Sequence, residues 1–86
     1  MSEETLLEFP CQFPIKVMGR VDVEFDLLVV EIITKHVEVS PNAVTSRPSK
    51  GGNYLAVTVT IEATSKQQLD AIYWELTQHP HVLMAL

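Results

Sequence analysis

Asn53-Tyr54-Leu55-Ala56-Val57-Thr58-Val59-Thr60-Ile61-Glu62 alternates residue by residue between apolar and mildly polar side chains. Leu55, Val57, Val59 and Ile61 fall on one side of an extended chain, and Tyr54, Ala56, Thr58 and Thr60 on the other. That is the period of a half-buried β-strand. The turn-forming Ser49-Lys50-Gly51-Gly52 ahead of it predicts a hairpin. One face of the strand is core and the other is open and nearly uncharged, so the sheet is covered on a single side.

Upstream of the hairpin, Ala43 to Ser49 reads as an extended segment that Pro48 confines to an edge or a strand end. Ser40-Pro41-Asn42 is a loop by its turn chemistry. Before it lies a helix, capped by Asp22, with Glu24 and Asp26 in its first turn, running to about His36 or Val37. Phe25, Leu28, Val29 and Ile32 form its apolar stripe, widened by Leu27, Val30 and Ile33. An arc that wide means a deeply seated helix or a packing surface for a second subunit. Ile15 to Met18 is a short strand ended by Gly19, and residues 1–12 form an irregular arm in which Pro10, with Pro14 just beyond, opposes a helix.

Downstream, Thr64 or Ser65 caps a second helix, and Gln68 is placed to answer Ser65 in a capping box. Leu69, Ile72, Tyr73 and Leu76 give that helix one apolar face, with Trp74 off the stripe; His79-Pro80 stops it. Val82 to Leu86 is a final, wholly apolar strand. The order is β-α-β-β-α-β. Two right-handed crossovers then predict an α+β, ferredoxin-like two-layer sandwich, with strand order 4-1-3-2 and both helices on one face. Residues 13–86 are its single domain.

At 86 residues the chain holds one core but little room for a deep pocket of its own. Its lone cysteine, Cys11, excludes an internal disulfide framework, and no apolar run reaches membrane-span length. A cytoplasmic protein is the expectation. The formal charge of −5 disfavours a phosphate backbone as ligand, although Lys16, Arg20, Arg47 and Lys50 gather toward the sheet and its loops while acids dominate the first helix.

Catalytic and metal-binding patterns are sparse in the chain. His79 and His81 lack the further converging ligands that a metal site needs, and Cys11 has no neighbouring base. No catalytic residues, metal or cofactor are assigned. Gly19, Arg20 and Asp22 form a candidate ligand position, because glycine admits close backbone approach and the helix start offers free N–H groups. Met18, Tyr54, Ala56, Thr58 and Trp74 form a candidate interaction surface. The run Lys50-Gly51-Gly52-Asn53-Tyr54 matches an RNA-recognition strand poorly, since Ala56 and Thr58 follow where a second stacking aromatic belongs.

Leu7-Glu8-Phe9-Pro10, Phe13 with Lys16-Val17-Met18-Gly19, Ser49-Lys50-Gly51 with Asn53-Tyr54, Tyr73-x-Glu75-Leu76 and Val82-x-Met84 together resemble the YbeD-like family of small bacterial proteins of unknown function. The resemblance covers nearly the whole chain. It implies a ferredoxin-like plait similar to the ACT domains that sense amino acids, whose effector position corresponds here to Gly19 and its neighbours. The resulting expectation is a non-catalytic regulatory or adaptor domain, acting through a protein partner, self-association or a small amino-acid-like effector. The alternative is a nucleic-acid-binding plait that uses the open sheet face.

Overall fold

The structure is a computed structural model that describes residues 8–21 and 24–86. Tyr54–Ala63 (β3) pairs antiparallel over its full length with Cys11–Arg20 (β1), in a register that sets Val17 opposite Val57 and Met18 opposite Ala56. Val44–Pro48 (β2) joins the other side of β3 through the hairpin. Val82–Ala85 (β4) pairs with the carboxyl-terminal end of β1. The sheet order β2-β3-β1-β4 is the one the sequence predicts, and both crossovers carry a helix: Phe25–Thr34 (α1) and Lys66–Gln78 (α2). The ferredoxin-like sandwich is therefore the fold.

Alternation along the strands builds the core. Ile15 and Val17 of β1 meet Val57, Val59, Ile61 and Ala63 of β3 on the helix side. Phe25, Val29, Ile32 and Ile33 of α1, with Leu69, Ile72 and Leu76 of α2, close over them. Each fully buried aliphatic or aromatic side chain of this set contributes roughly 1.5–3 kcal/mol. The stripe on α1 is rotated from the expected one: Ile33 is buried, Leu28 only half so, and Leu27 is 59% exposed. The widened arc thus belongs partly to solvent.

Several boundaries differ from expectation. β1 begins at Cys11, so the irregular arm does not reach residue 12 and the strand runs straight through Pro14. The reason is geometric. Lys16 N–H points toward the β4 side, where it donates to Leu86 O at 3.2 Å, and alternation aims the nitrogen of Pro14 the same way. Short β4 does not extend that far, so no ladder bond is lost to the proline. Helix α1 starts at Phe25 with Glu24, not Asp22, in the cap position, and Glu24 makes no side-chain cap. It ends at Thr34 rather than His36, because Lys35 and His36 N–H turn back to Ile32 O and Ile33 O in a tightened last turn. Asp22 itself lies outside the described residues, as does most of the amino-terminal arm.

The cap of α2 is close to the predicted box. Ser65 Oγ accepts from Gln68 N–H at 3.0 Å, while Gln68 Oε1 accepts from Thr64 N–H at 2.9 Å, one residue before the cap. No helix among the described residues is long and apolar enough to cross a membrane.

Candidate functional site: the open sheet face

The same alternation that buries one side of the sheet exposes the other. Lys16, Met18 and Arg20 of β1, Tyr54, Ala56, Thr58 and Thr60 of β3, and Thr45 and Arg47 of β2 all point away from the helices. Register sorts them into rows across the strands. One row is Thr45, Thr58, Lys16 and Leu86; the next is Arg47, Ala56, Met18 and Met84. With strands about 4.8 Å apart, each row is roughly 14 Å long.

Two depressions adjoin on this face. One, of about 300 Å³, lies among Lys16, Thr45, Arg47, Ala56 and Thr58, with Ser46 at its rim. The other, of about 70 Å³, is walled by Met18, Met84, Leu86 and Ala56, with Val17 and Lys16 completing it. They share Lys16 and Ala56, so the small Ala56 side chain is the low saddle between a cationic hollow and an apolar one. Met84 and Leu86 are 50% and 68% exposed, unusual for large apolar side chains that a neighbouring strand could have covered.

Charge is segregated between the layers. The strands carry Lys16, Arg20 and Arg47 against a single carboxylate, Glu62, which sits four residues along β3 from Thr58. Glu24, Asp26, Glu31, Asp70 and Glu75 lie on the helical side. There the carboxyl end of α1 is tied to α2: Lys35 Nζ donates to Glu75 Oε2 at 2.6 Å, and His36 Nε2 lies 2.7 Å from Glu75 Oε1. These contacts, Lys35 first and then His36, hold the Glu75 carboxyl below its ordinary range. A groove of about 430 Å³ runs beside this tie, along Leu28, Ile32, Glu75 and Gln78. Its Lys35 and Glu75 charges are paired with one another and Glu31 also lines it, whereas on the sheet face the cations Lys16 and Arg47 line one hollow together.

Of the candidate ligand position, Gly19 and Arg20 lie on opposite faces of the sheet, and Asp22 is outside the described residues. Gly19 is within β1, at the bulge where the register against β4 shifts, and it faces the core; Arg20, next in the strand, faces the opposite side beside Tyr54. Successive strand residues cannot share a face. The space beside the Gly19 backbone is taken by the ring of Phe25. Of the candidate interaction residues, Met18, Tyr54, Ala56 and Thr58 do share the open face. Trp74, 66% exposed on α2, belongs to the other layer. Sequence alone does not single out Met84 and Leu86, because a uniformly apolar β4 gives no period, and the bulge opposite Met18 and Gly19 sets which side chains turn outward. His79 Nδ1 accepts from His81 N–H at 3.2 Å, and among the described residues no three His, Cys, Asp or Glu side chains converge as metal ligands would.

Comparison with known proteins places this geometry in context. A family model described as "Protein of unknown function (DUF493)" matches residues 4–86. A "UPF0250 protein" of Paraburkholderia phytofirmans is 50% identical over 84 residues, covering 96% of this chain and 94% of the relative. Another, from Chromobacterium violaceum, is 47% identical over the whole of both chains. Among solved structures, the solution structure of protein HP0495 from H. pylori superposes with a TM-score of 0.69 at 17% identity, over 93% of this chain and 85% of that one. At that identity the likeness speaks to the fold.

Proposed function

The chain belongs to the DUF493 family of proteins of unknown function, the YbeD-like group its motifs resemble, and on that footing we propose that it is a non-catalytic adaptor domain that docks a protein partner on its open sheet face. One observation carries this reading: Met18, Met84 and Leu86 stand exposed side by side on a sheet face that neither α1 nor α2 covers. Apolar side chains gathered on an otherwise polar surface favour contact with another apolar surface. Methionine suits such a role, since its flexible thioether adapts to an incoming surface. Regulation by a small effector at Gly19 has less support, because Phe25 already fills the space that glycine leaves open.

The second reading, a nucleic-acid platform, draws on Lys16, Arg20 and Arg47 on the same face. It is weaker because, among the described residues, Tyr54 is the sole aromatic ring there; Phe13, on β1, points toward the core layer. Single-stranded nucleic acid is held largely by successive stacking rings.

A photo-crosslinking residue at Thr45, on the rim of the face, compared with one at Asp70 on the outer surface of α2, tests the proposal in the native cell. The expected result is a reproducible protein adduct from position 45 that is absent from position 70 and is lost when Met84→Asp is added. A nucleic-acid adduct from position 45 turns the assignment to the second reading. Adducts of equal yield from both positions overturn a dedicated open-face contact.

A further inference from the structure

We propose that the segment received by this face is acidic and apolar in close succession: a partner peptide whose carboxylate lies between Lys16 and Arg47 while a neighbouring apolar side chain enters the Met18–Met84–Leu86 hollow. The inference rests on the open-face reading above and adds the chemistry of the partner.

The composite shape is the first argument. The cationic and apolar hollows meet at Ala56 and share Lys16, so a ligand filling both must change from charged to apolar over the width of one strand. Lys16 lines both hollows, and a long cationic side chain can offer its aliphatic stem to an apolar group and its ammonium to a charged one. Thr45 and Thr58 supply hydroxyl groups beside the cations, suited to the second oxygen of a carboxylate.

Charge is the second argument. Among the described residues, no ion pair engages Lys16 or Arg47; the pairs Lys35–Glu75 and Lys66–Asp70 lie on the helical layer. The chain as a whole carries −5, yet its sheet face gathers Lys16 and Arg47 at one hollow, while the strand carboxylate Glu62 lies four residues along β3 from Thr58. An acidic partner is therefore favoured at the Lys16–Arg47 side over the acid-rich helical side, which orients the encounter. A cationic or neutral partner has no such guidance.

Labelled synthetic peptides supply the probes: leucine alternating with glutamate, with lysine or with serine, plus a single-stranded oligothymidylate. Each is titrated at low salt against the full chain, reading the Met18 and Met84 methyl signals and the Thr45 and Thr58 amides. The expected result is that the leucine–glutamate peptide shifts all four and binds more tightly than the other probes. Lys16→Glu with Arg47→Glu then weakens it about tenfold and transfers the preference to the leucine–lysine peptide. An unchanged core amide spectrum confirms that the reversed variant is folded. Equal binding of the leucine–serine peptide at the same residues overturns the acidic specificity while leaving the open face as a protein-docking surface. Tighter binding of oligothymidylate overturns both readings, as does the absence of shifts at Met18 and Met84 with every peptide.

Discussion

The ring of Phe25 occupies the space that a side chain at Gly19 would need: a Cβ there would stand 2.6 Å from Cδ1 and closer still to Cε1 and Cζ. Phe25 is fully buried, so its ring cannot swing aside without opening a cavity. Gly19→Ala is expected to destabilise the fold by about 1–3 kcal/mol through overpacking. Adding Phe25→Leu should recover part of that loss, so that the double variant falls short of the summed single effects. Urea unfolding of the four proteins measures it, and strict additivity would show that the two positions do not contend for one space.

The hairpin glycines separate by a different physics. Gly52 has φ of +78°, whereas a side chain at Gly51 meets nothing nearer than Asn53 Nδ2 at 3.7 Å. Space is open at both, and only the backbone differs. Gly52→Ala is expected to cost about 1 kcal/mol, Gly52→Asn less, and Gly51→Ala close to nothing. Thermal melts of the three variants check the order, and an equal loss at both positions would contradict it.

These glycines also show what could be read from the chain. Period-two alternation placed Met18, Tyr54, Ala56 and Thr58 on one face, because each residue's side is settled by its neighbours alone. The element order carried the strand order for the same local reason. The role of Gly19 was not legible, since it depends on a contact with Phe25 across a turn, and a glycine before a helix looks alike whether it admits a ligand or a ring. Nor was the extent of β1. Pro14 is acceptable because its nitrogen faces the β4 side, where no described residue pairs with it, a fact about pairing partners rather than about Pro14. Grouping Trp74 with the sheet residues failed on the same ground: helix phase shows that it leaves the core stripe, not which layer it then joins.

Tyr73 donates its hydroxyl to Leu86 O at 2.6 Å, fastening the end of β4 to α2 beside the apolar hollow. Partial burial raises the phenol above its ordinary pKa of 10.0, which keeps the donor protonated well into the alkaline range. Tyr73→Phe is expected to lower stability by about 1 kcal/mol or less. Its larger effect should be local, with faster amide exchange at Leu86, which donates to Lys16 O at 2.7 Å, and no change along the β1–β3 ladder. Exchange that stays unchanged at Leu86 would mean that strand pairing alone secures this end.

The Lys35–Glu75–His36 tie gives stability a defined pH profile. Glu75 is held below its ordinary 4.5 by Lys35 and then His36, so its contribution is complete above 4.5 and is lost as pH falls through the lowered value. Lys35 is held above its ordinary 10.5, chiefly by the same hydrogen bond, so its contribution is complete below 10.5 and is lost as pH rises through the raised value. Between those limits the tie is intact, and because it is solvent-accessible both slopes are shallow. Glu75→Gln should reduce the slope at both ends. Lys35→Met should remove the tie's share of the alkaline slope, leaving that of Tyr73, and keep part of the acid one, since Glu75 retains its contact with His36. Denaturation midpoints across the pH range for the three proteins distinguish these shapes. A difference between wild type and Glu75→Gln that stays constant at every pH would assign the loss to packing between the helices, with no part for the charges.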